Sequence, residues 1–187
     1  ILRFVLRELG LPYTNVIYSG GGHFYLLAPV SAKDKLGSIQ RKITEILLAH
    51  HGSALYLALG CAEVPAGGFK IGELPTHWNT MHRNLSRAKQ NRYVELGDKF
   101  YERIFKPQPH GGNKDETCAV CGEDGRKTKA IEDDPEGGHV CALCSSFADD
   151  IGGNLPGARF VVLGLCGPKS TDKSGALDIL RAFGMRV

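Results

Sequence analysis

The chain has 187 residues, of which 42% are apolar and 23% are charged. These values are ordinary for a globular protein and exclude a wholly disordered chain. No stretch approaches the roughly 20 apolar residues that a membrane helix needs, so we expect no membrane partner. The first residues already have a helical pattern, with neither an initiator Met nor a signal peptide. We therefore expect a piece of a longer, cytoplasmic protein.

The net charge of +3 is unevenly distributed along the chain. Residues 1–112 carry 14 Lys and Arg against 8 Asp and Glu, a net charge of +6. Residues 113–150 carry 4 against 10, a net charge of −6, and residues 151–187 carry 5 against 2, a net charge of +3. Six excess positive charges over the first part do not by themselves identify a nucleic-acid-binding protein.

The first 75 residues predict the order helix, hairpin, helix, strand. Residues 1–9 have amphipathic spacing. Residues 14–18 and 23–28 are rich in aromatic and β-branched residues and flank a glycine run, which predicts a β-hairpin. A helix with Ser31 as its N-cap follows and ends near residue 50, and the apolar run 54–59 predicts a buried strand. This order is most of a βαββαβ ferredoxin-like unit without its first strand, so we predict an α+β fold.

Two further regions complete the predicted domain organisation. A helical pattern begins at Thr76 and continues, with a break at Gly97, to residue 105, and a Cys-rich segment follows it up to residue 150. From residue 151 a further α/β segment starts, with a strand over 159–165 and a helix over 176–183. The predicted domains are therefore 1–75, 76–150 and 151–187. The helical pattern is basic, which predicts a solvated face or a contact with RNA or a partner subunit. Its basic residues are Arg83, Arg87, Lys89, Arg92, Lys99, Arg103 and Lys106.

Two CxxC pairs are the strongest chemical signal in the sequence. Cys118 and Cys121 are separated by 19 residues from Cys141 and Cys144. Each CxxC turn directs two thiolates at one ion, and two turns complete the tetrahedron of a zinc-ribbon site. Four thiolates leave no open position, so we predict a structural Zn²⁺. The alternatives are a site in which His139 replaces one thiolate, a redox pair, and thiols that never meet.

The remaining cysteines, Cys61 and Cys166, lie in apolar runs and are predicted to be small buried residues. A metal pattern with two spare thiols fits a reducing compartment.

The glycine tip of the hairpin is the second chemical signal. Ser19, Gly20, Gly21 and Gly22 precede His23. Consecutive glycines allow positive φ and let a ligand approach backbone N–H groups, which can cradle phosphates. A tight hairpin turn explains the same residues without a ligand. The tip is not a P-loop, because no GxxxxGK[ST] pattern occurs in the chain.

A palm with a glycine hairpin between its central strands resembles nucleotide cyclases and palm-type polymerases. Active members carry GGDD or GGDEF at this tip, and their carboxylates hold two metal ions. The tip of this chain has no carboxylate, so we assign no catalytic residue. Together with the Cys₄ region, the tip resembles the first palm of the large subunit of type III-A, or Csm-type, CRISPR interference complexes. The helix over 78–89 and the run 151–162 match that family as well.

The resemblance implies a function in antiviral defence. Members of this family assemble with other Csm subunits and CRISPR RNA, bind target RNA, and make cyclic oligoadenylates from ATP with Mg²⁺. Many also cleave single-stranded DNA with a separate HD domain. In this chain, Ser19, Gly20, Gly21 and Gly22 would contact the acceptor ATP, and the chain alone is not expected to be catalytic. Two alternatives remain: a zinc-ribbon module that binds nucleic acid or protein through its basic helix, and a degenerate cyclase domain that senses GTP or ATP.

Overall fold

The computed structural model describes residues 1–98, 104–105, 114–124, 127–132, 134–160, 162, 164–165 and 175–186. The chain divides into two compact units, residues 1–106 and residues 107–187. Both units contain helices and short strands, so the structure is mixed α/β. The predicted division at residues 75 and 150 stays a prediction.

The described helices are α1 (Leu2–Leu9), α2 (Lys33–His51), α3 (Leu74–Gln90), α4 (Ala142–Ser146) and α5 (Ala176–Ala182). The described strands form three antiparallel pairs: β1 (Val16–Gly20) with β2 (His23–Leu26), β3 (Thr128–Ala130) with β4 (His139–Cys141), and β5 (Gly164–Leu165) with β6 (Met185–Arg186). The helix–hairpin–helix order of the first unit is as predicted. The four-stranded sheet of a ferredoxin-like fold stays a prediction.

The core of the first unit lies between α1 and α2. Residues four positions apart share one face of a helix, which explains why the apolar spacing of α2 becomes a buried stripe. An ion pair between Lys42 and Glu8, 2.6 Å long, joins the same two helices. Gly10 ends α1 in the left-handed conformation with φ +71°, as a glycine stop should. The buried residues of the two helices are Phe4, Val5, Leu6, Ile39, Ile43, Thr44, Leu47 and His50.

The predicted cap of α2 is wrong. A 3₁₀ turn occupies Val30–Ala32, and α2 begins after it with Ala32 as its N-cap. Ser31 lies inside that turn, so its side chain does not precede the first helical residue.

The predicted strand over 54–59 is also wrong. A 3₁₀ turn covers Gly52–Ala54, and residues 55–60 belong to no sheet of the described chain. The side-chain amide of Gln40 takes the place of a neighbouring strand: its Nε2 donates to the carbonyl of Leu57 (2.6 Å), and its Oε1 accepts from the N–H of Leu59 (2.8 Å). The apolar pattern predicts an extended chain, but a strand also needs a backbone partner, which local sequence does not reveal.

The long basic helix is interrupted earlier than its pattern predicts, and the described residues Asp98, Ile104 and Phe105 are again helical. The chain leaves helical geometry at Asn91, Tyr93 adopts φ +71°, and a 3₁₀ turn follows at Val94–Leu96. Leu96 is still buried, so the apolar period continues across the break although the helix does not. The basic residues Lys99, Arg103 and Lys106 lie outside the described residues.

The last region contains less strand than expected. Of the predicted strand over 159–165, the described part has only Gly164–Leu165 in a sheet. Helix α5 confirms the helix predicted over 176–183. Residues 166–174, which include Cys166, lie outside the described residues. Among the helices that the structure describes, none combines the length and the apolar character needed to cross a membrane.

Candidate functional site

The four cysteines of the two CxxC pairs converge in the second unit. The Sγ atoms of Cys118, Cys121, Cys141 and Cys144 all lie within 4.8 Å of one another. The distance between the Sγ atoms of Cys121 and Cys141 is 3.8 Å. Ligands at the Zn–S distance of about 2.3 Å sit about 3.8 Å apart at the corners of a tetrahedron. The donor set therefore fits a Zn²⁺ ion in both chemistry and spacing.

The local fold brings the two pairs together. Cys118 forms an isolated bridge to His139 of β4, and the N–H of Ala119 donates to the His139 carbonyl (2.8 Å). A turn then closes between the N–H of Gly122 and the Cys118 carbonyl (2.9 Å). Gly122, which directly follows the first pair, has φ +71°, a conformation that glycine adopts without a steric penalty.

The second pair lies where a strand passes into a helix. Cys141 ends β4 and is the N-cap of α4, and Cys144 follows on the first turn of that helix. Hydrogen bonds from the N–H groups of Glu136 and Gly138 to the Asp134 carboxylate shape the loop that leads into β4. Beyond α4, Asp149 and Asp150 lie in a π-helical stretch, Phe147–Gly152.

The cluster contains thiols in different electrostatic environments. Burial opposes ionisation of Cys118, but hydrogen bonds from the backbone N–H groups of Cys141, Cys121 and Val120 outweigh it and lower the pKa of this thiol to about 6. Burial and the neighbouring thiols raise the pKa of Cys144. His139 is not a member of the described group of converging ligand atoms.

The hairpin tip has the geometry of a tight primed turn. Gly21 and Gly22, the two residues between the strands, have φ of +56° and +76°. Two successive positive φ values are the mark of a type I′ turn, which matches the twist of the flanking strands. A Cβ built on either glycine would meet no atom within 4 Å, so the backbone of the tip is open on its outer side. Ser19 pairs with Phe24, and Gly20 pairs with His23.

Side chains next to the tip fold back over it. A Cβ on Gly20 would lie 2.8 Å from the hydroxyl of Tyr18, so this ring occupies the space beside the glycine. His23 Nδ1 lies 2.8 Å from the Gly21 carbonyl oxygen. Cradling of phosphate at the tip would therefore use the free backbone N–H groups of the turn, with Tyr18 and His23 as its neighbours.

An aromatic cluster that the sequence did not reveal attaches the hairpin to α3. The ring of Tyr25 lies 4.6 Å from the ring of Trp78, which lies 5.3 Å from the imidazole of His82. Trp78 and His82 stand four residues apart on α3, and this spacing was the available signal for their proximity. Tyr25 lies opposite Tyr18 in the strand register, so the two rings share one face of the hairpin. Trp78 and His82 contact Tyr25 on the hairpin.

The packing of α3 depends on a glycine. A Cβ on Gly60 would lie 2.8 Å from both the backbone nitrogen and the Cα of Leu85, so the helix backbone rests directly on this residue. The side chain of Asn84 donates to the carbonyl of Cys61 (2.9 Å) at the same contact. Cys61 is half-buried, in partial agreement with the predicted buried thiol.

A polar network holds the extended segment against α2. One carboxylate oxygen of Glu95 accepts hydrogen bonds from Thr44 (2.5 Å), Tyr56 (3.2 Å) and Gln40 (3.4 Å). Burial, reinforced by the charge of Glu95, raises the pKa of the Tyr56 phenol.

A family model described as Csm1 subunit domain B matches residues 1–107. The chain belongs to the Csm1 family. The matched residues include the glycine hairpin and α3, and the cysteine cluster follows them. Csm1 domain B therefore accounts for the first structural unit described above.

Curated relatives extend the similarity beyond domain B. Three are named CRISPR system single-strand-specific deoxyribonuclease Cas10/Csm1 of subtype III-A. The protein of Methanocaldococcus jannaschii is 24% identical over 159 residues, covering 78% of this chain and 19% of the relative. The protein of Mycobacterium tuberculosis is 28% identical over 157 residues, covering 76% and 18%. The protein of Thermococcus onnurineus is 32% identical over 160 residues, covering 81% and 19%.

The chain spans about a fifth of the length of these Csm1 relatives. The covered share of this chain exceeds the 107 residues of domain B, so the similarity reaches into the second unit. The family that the glycine tip and the Cys₄ spacing predicted is therefore confirmed.

Proposed function

We propose that this chain is the first palm and the zinc-bearing linker of a type III-A large subunit, and that its hairpin tip helps to bind ATP for cyclic oligoadenylate synthesis. The observation that carries this proposal is the open type I′ turn at Gly21 and Gly22 in a chain of the Csm1 family. The tip offers backbone N–H groups without side chains in front of them, as phosphate binding requires. The catalytic metal ions, Mg²⁺ in the complete enzyme, would be held by carboxylates outside this chain.

In the proposed assembly, the four cysteines hold a structural Zn²⁺ and the remaining Csm subunits, CRISPR RNA and target RNA are the partners. Support for the ion comes from the Sγ spacing and from the closed donor set of four thiolates. Such a site offers no open coordination position, so its role is to stabilise the fold of the second unit. Among the described residues of the second unit, the buried apolar side chains other than the cysteines are Leu143, Ala176, Ile179, Phe183 and Met185, so binding of the ion would add to a small core.

The tip is tested by Gly21→Val in the complete large subunit, assembled with its partners and target RNA. A branched side chain at φ +56° is strained, at a cost of at least about 1–2 kcal/mol, and it blocks the open side of the turn. We expect loss of cyclic oligoadenylate formation from ATP. The matched control is Gly10→Val, because Gly10 has φ +71°, has no atom within 4 Å of a built Cβ, and lies away from the tip.

A milder variant separates folding from binding. Gly20 lacks a positive φ, and a Cβ there meets only the outer end of the Tyr18 side chain, at 2.8 Å from its hydroxyl and 3.2 Å from ring atom Cζ, which can move away. Gly20→Ala should therefore leave the melting temperature nearly unchanged while raising the KM for ATP. Equal product formation by the wild type, Gly20→Ala and Gly21→Val would refute a nucleotide contact at the tip, and a zinc-bearing binding module would then be the better description.

A further inference from the structure

Helix α3 carries positive charge that the described structure does not neutralise. Between residues 74 and 94 the sequence contains Arg83, Arg87, Lys89 and Arg92 but no Asp or Glu. No carboxylate of the described residues lies within ion-pair distance of these four side chains. Of the other cations of the first unit, Lys33, Arg41 and Lys42 each have a carboxylate partner, whereas Arg3, Lys35 and Lys70 have no ion pair to a described residue.

The helix dipole explains only part of this pattern. Arg87 and Lys89 lie in the last turn of α3, where the negative end of the dipole favours cations. The same dipole favours acidic residues in the first turn, and α3 has none there. Arg83 lies in the interior of the helix, where the dipole contributes little, and it stands four residues before Arg87, a like-charge spacing that is mildly unfavourable.

Six residues form a polar stripe on the face of α3 that points away from Gly60. At 100° per residue they fall within a sector about 100° wide. All six are exposed, and none is apolar or acidic: Thr76, Asn79, Arg83, Ser86, Arg87 and Gln90. The arginines present planar groups suited to phosphate oxygens, and the hydroxyl and amide side chains are further phosphate donors.

The composition of the polar stripe distinguishes between an acidic protein and a nucleic acid as its partner. The centre of a protein interface needs apolar or aromatic side chains, and the stripe has none. Contacts to a nucleic-acid backbone are dominated by Arg and by polar side chains that bind phosphate and sugar. We propose that the polar stripe of α3 binds the phosphodiester backbone of a single nucleic-acid strand. This surface is separate from the hairpin tip, so the proposal does not depend on nucleotide binding there.

The release of counterions from the nucleic acid determines how much affinity the loss of Arg83 and Arg87 should cost. For a single strand the slope of log K against log salt is about −0.7 per neutralised phosphate. If Arg83 and Arg87 each neutralise one phosphate, removing both should reduce the slope by about 1.4. A change of about 1.4 in this slope corresponds to about a 25-fold loss of affinity at 0.1 M salt. The loss should be the same for every base sequence, because the backbone carries no sequence information.

The test uses the 187-residue chain and a labelled 20-nucleotide oligouridylate, titrated by fluorescence anisotropy at several salt concentrations. The variant is Arg83→Gln/Arg87→Gln, since Gln keeps a helix propensity close to that of Arg. The matched control is Arg3→Gln/Lys35→Gln, which removes the same net charge from exposed positions of α1 and α2. We expect the slope and affinity to fall in the variant and to remain close to wild type in the control. An oligothymidylate should show the same loss.

Three results would overturn the proposal. The variant and the control could weaken binding equally, which would assign the effect to net charge alone. The variant could bind like the wild type. The variant could lose affinity for a polyglutamate peptide while keeping its affinity for both oligonucleotides, which would make the polar stripe a site for an acidic protein. Circular dichroism at each salt concentration verifies that α3 remains helical in both variants.

Discussion

Removal of the proposed zinc ion from the cysteine cluster is the most direct test of the second unit. The four Sγ atoms lie within 4.8 Å of one another, and one pair already has the 3.8 Å separation of a tetrahedral thiolate site. Cys118 and Cys141 are among the most buried of the described side chains, so two of the four ligands are part of the core. Loss of the ion would leave buried thiols facing one another with no bond between them.

The expected loss of stability on removal of the ion is large. Structural Zn²⁺ contributes about 10–16 kcal/mol of apparent binding free energy in zinc-finger peptides, which equals or exceeds the whole stability of a typical domain, about 5–15 kcal/mol. Cys118→Ser and Cys144→Ser each remove one of four ligands. We therefore expect loss of the ion and local unfolding of the segment between β3 and α4, rather than a small shift in melting temperature.

Metal analysis of the purified chain should give about one zinc per chain. Limited proteolysis with and without a chelator should show new cleavage between residues 118 and 144 when the ion is removed. Cys61→Ser is the matched control, because Cys61 lies outside the cluster, and it should retain the zinc and the proteolytic pattern. A metal-free wild-type chain with the same resistance to proteolysis would refute the metal centre.

Two further predictions concern the first unit. Gly60→Ala should lower the free energy of unfolding by about 1–3 kcal/mol, because the new Cβ meets the backbone of Leu85 at 2.8 Å. Gly37→Ala in α2, where a Cβ meets nothing within 4 Å, should raise it by about 0.5–1 kcal/mol. Equal denaturation midpoints for these two variants would contradict the packing of α3. The raised pKa of Tyr56 means that its neutral form is favoured in the folded state, so stability should be fully present below about pH 10, the unfolded value, and should be lost as the pH rises toward the folded value. Tyr56→Phe should flatten this alkaline decline in denaturation experiments, and an unchanged decline would exclude Tyr56 as its source.

The sequence correctly predicted the elements that depend on residues close together in the chain. The apolar spacing of Ile39, Ile43 and Leu47 gave α2, and the paired glycines at the tip gave the hairpin. The spacing of the CxxC pairs predicted which thiols the fold would bring together, since a CxxC turn determines the geometry of each pair. These features depend on residues within one or two turns of each other.

The predictions that failed concern contacts between residues that lie far apart in the sequence. The run 54–59 has the composition of a strand, but its hydrogen bonds go to the side chain of Gln40, which no local pattern marks. The helical period of the basic segment continues to Leu96, but Tyr93 takes φ +71° and divides the segment. The contact of Tyr25 with Trp78 needs the tertiary structure, because 53 positions separate the two residues in the sequence.

The hydrogen bonds of Gln40 give a single side chain a part in aligning the extended segment with α2. In a sheet, the alignment of two strands is carried by backbone groups that every residue except proline possesses. Here the Gln40 side chain contributes to it, because its primary amide offers both the donor for Leu57 and the acceptor for Leu59. A carboxylate lacks the donor and an ammonium group lacks the acceptor. The alignment of this segment with α2 therefore depends on Gln40 as well as on the hydrogen bond from Tyr56 to Glu95, and a substitution of Gln40 can weaken it without any change in the segment itself.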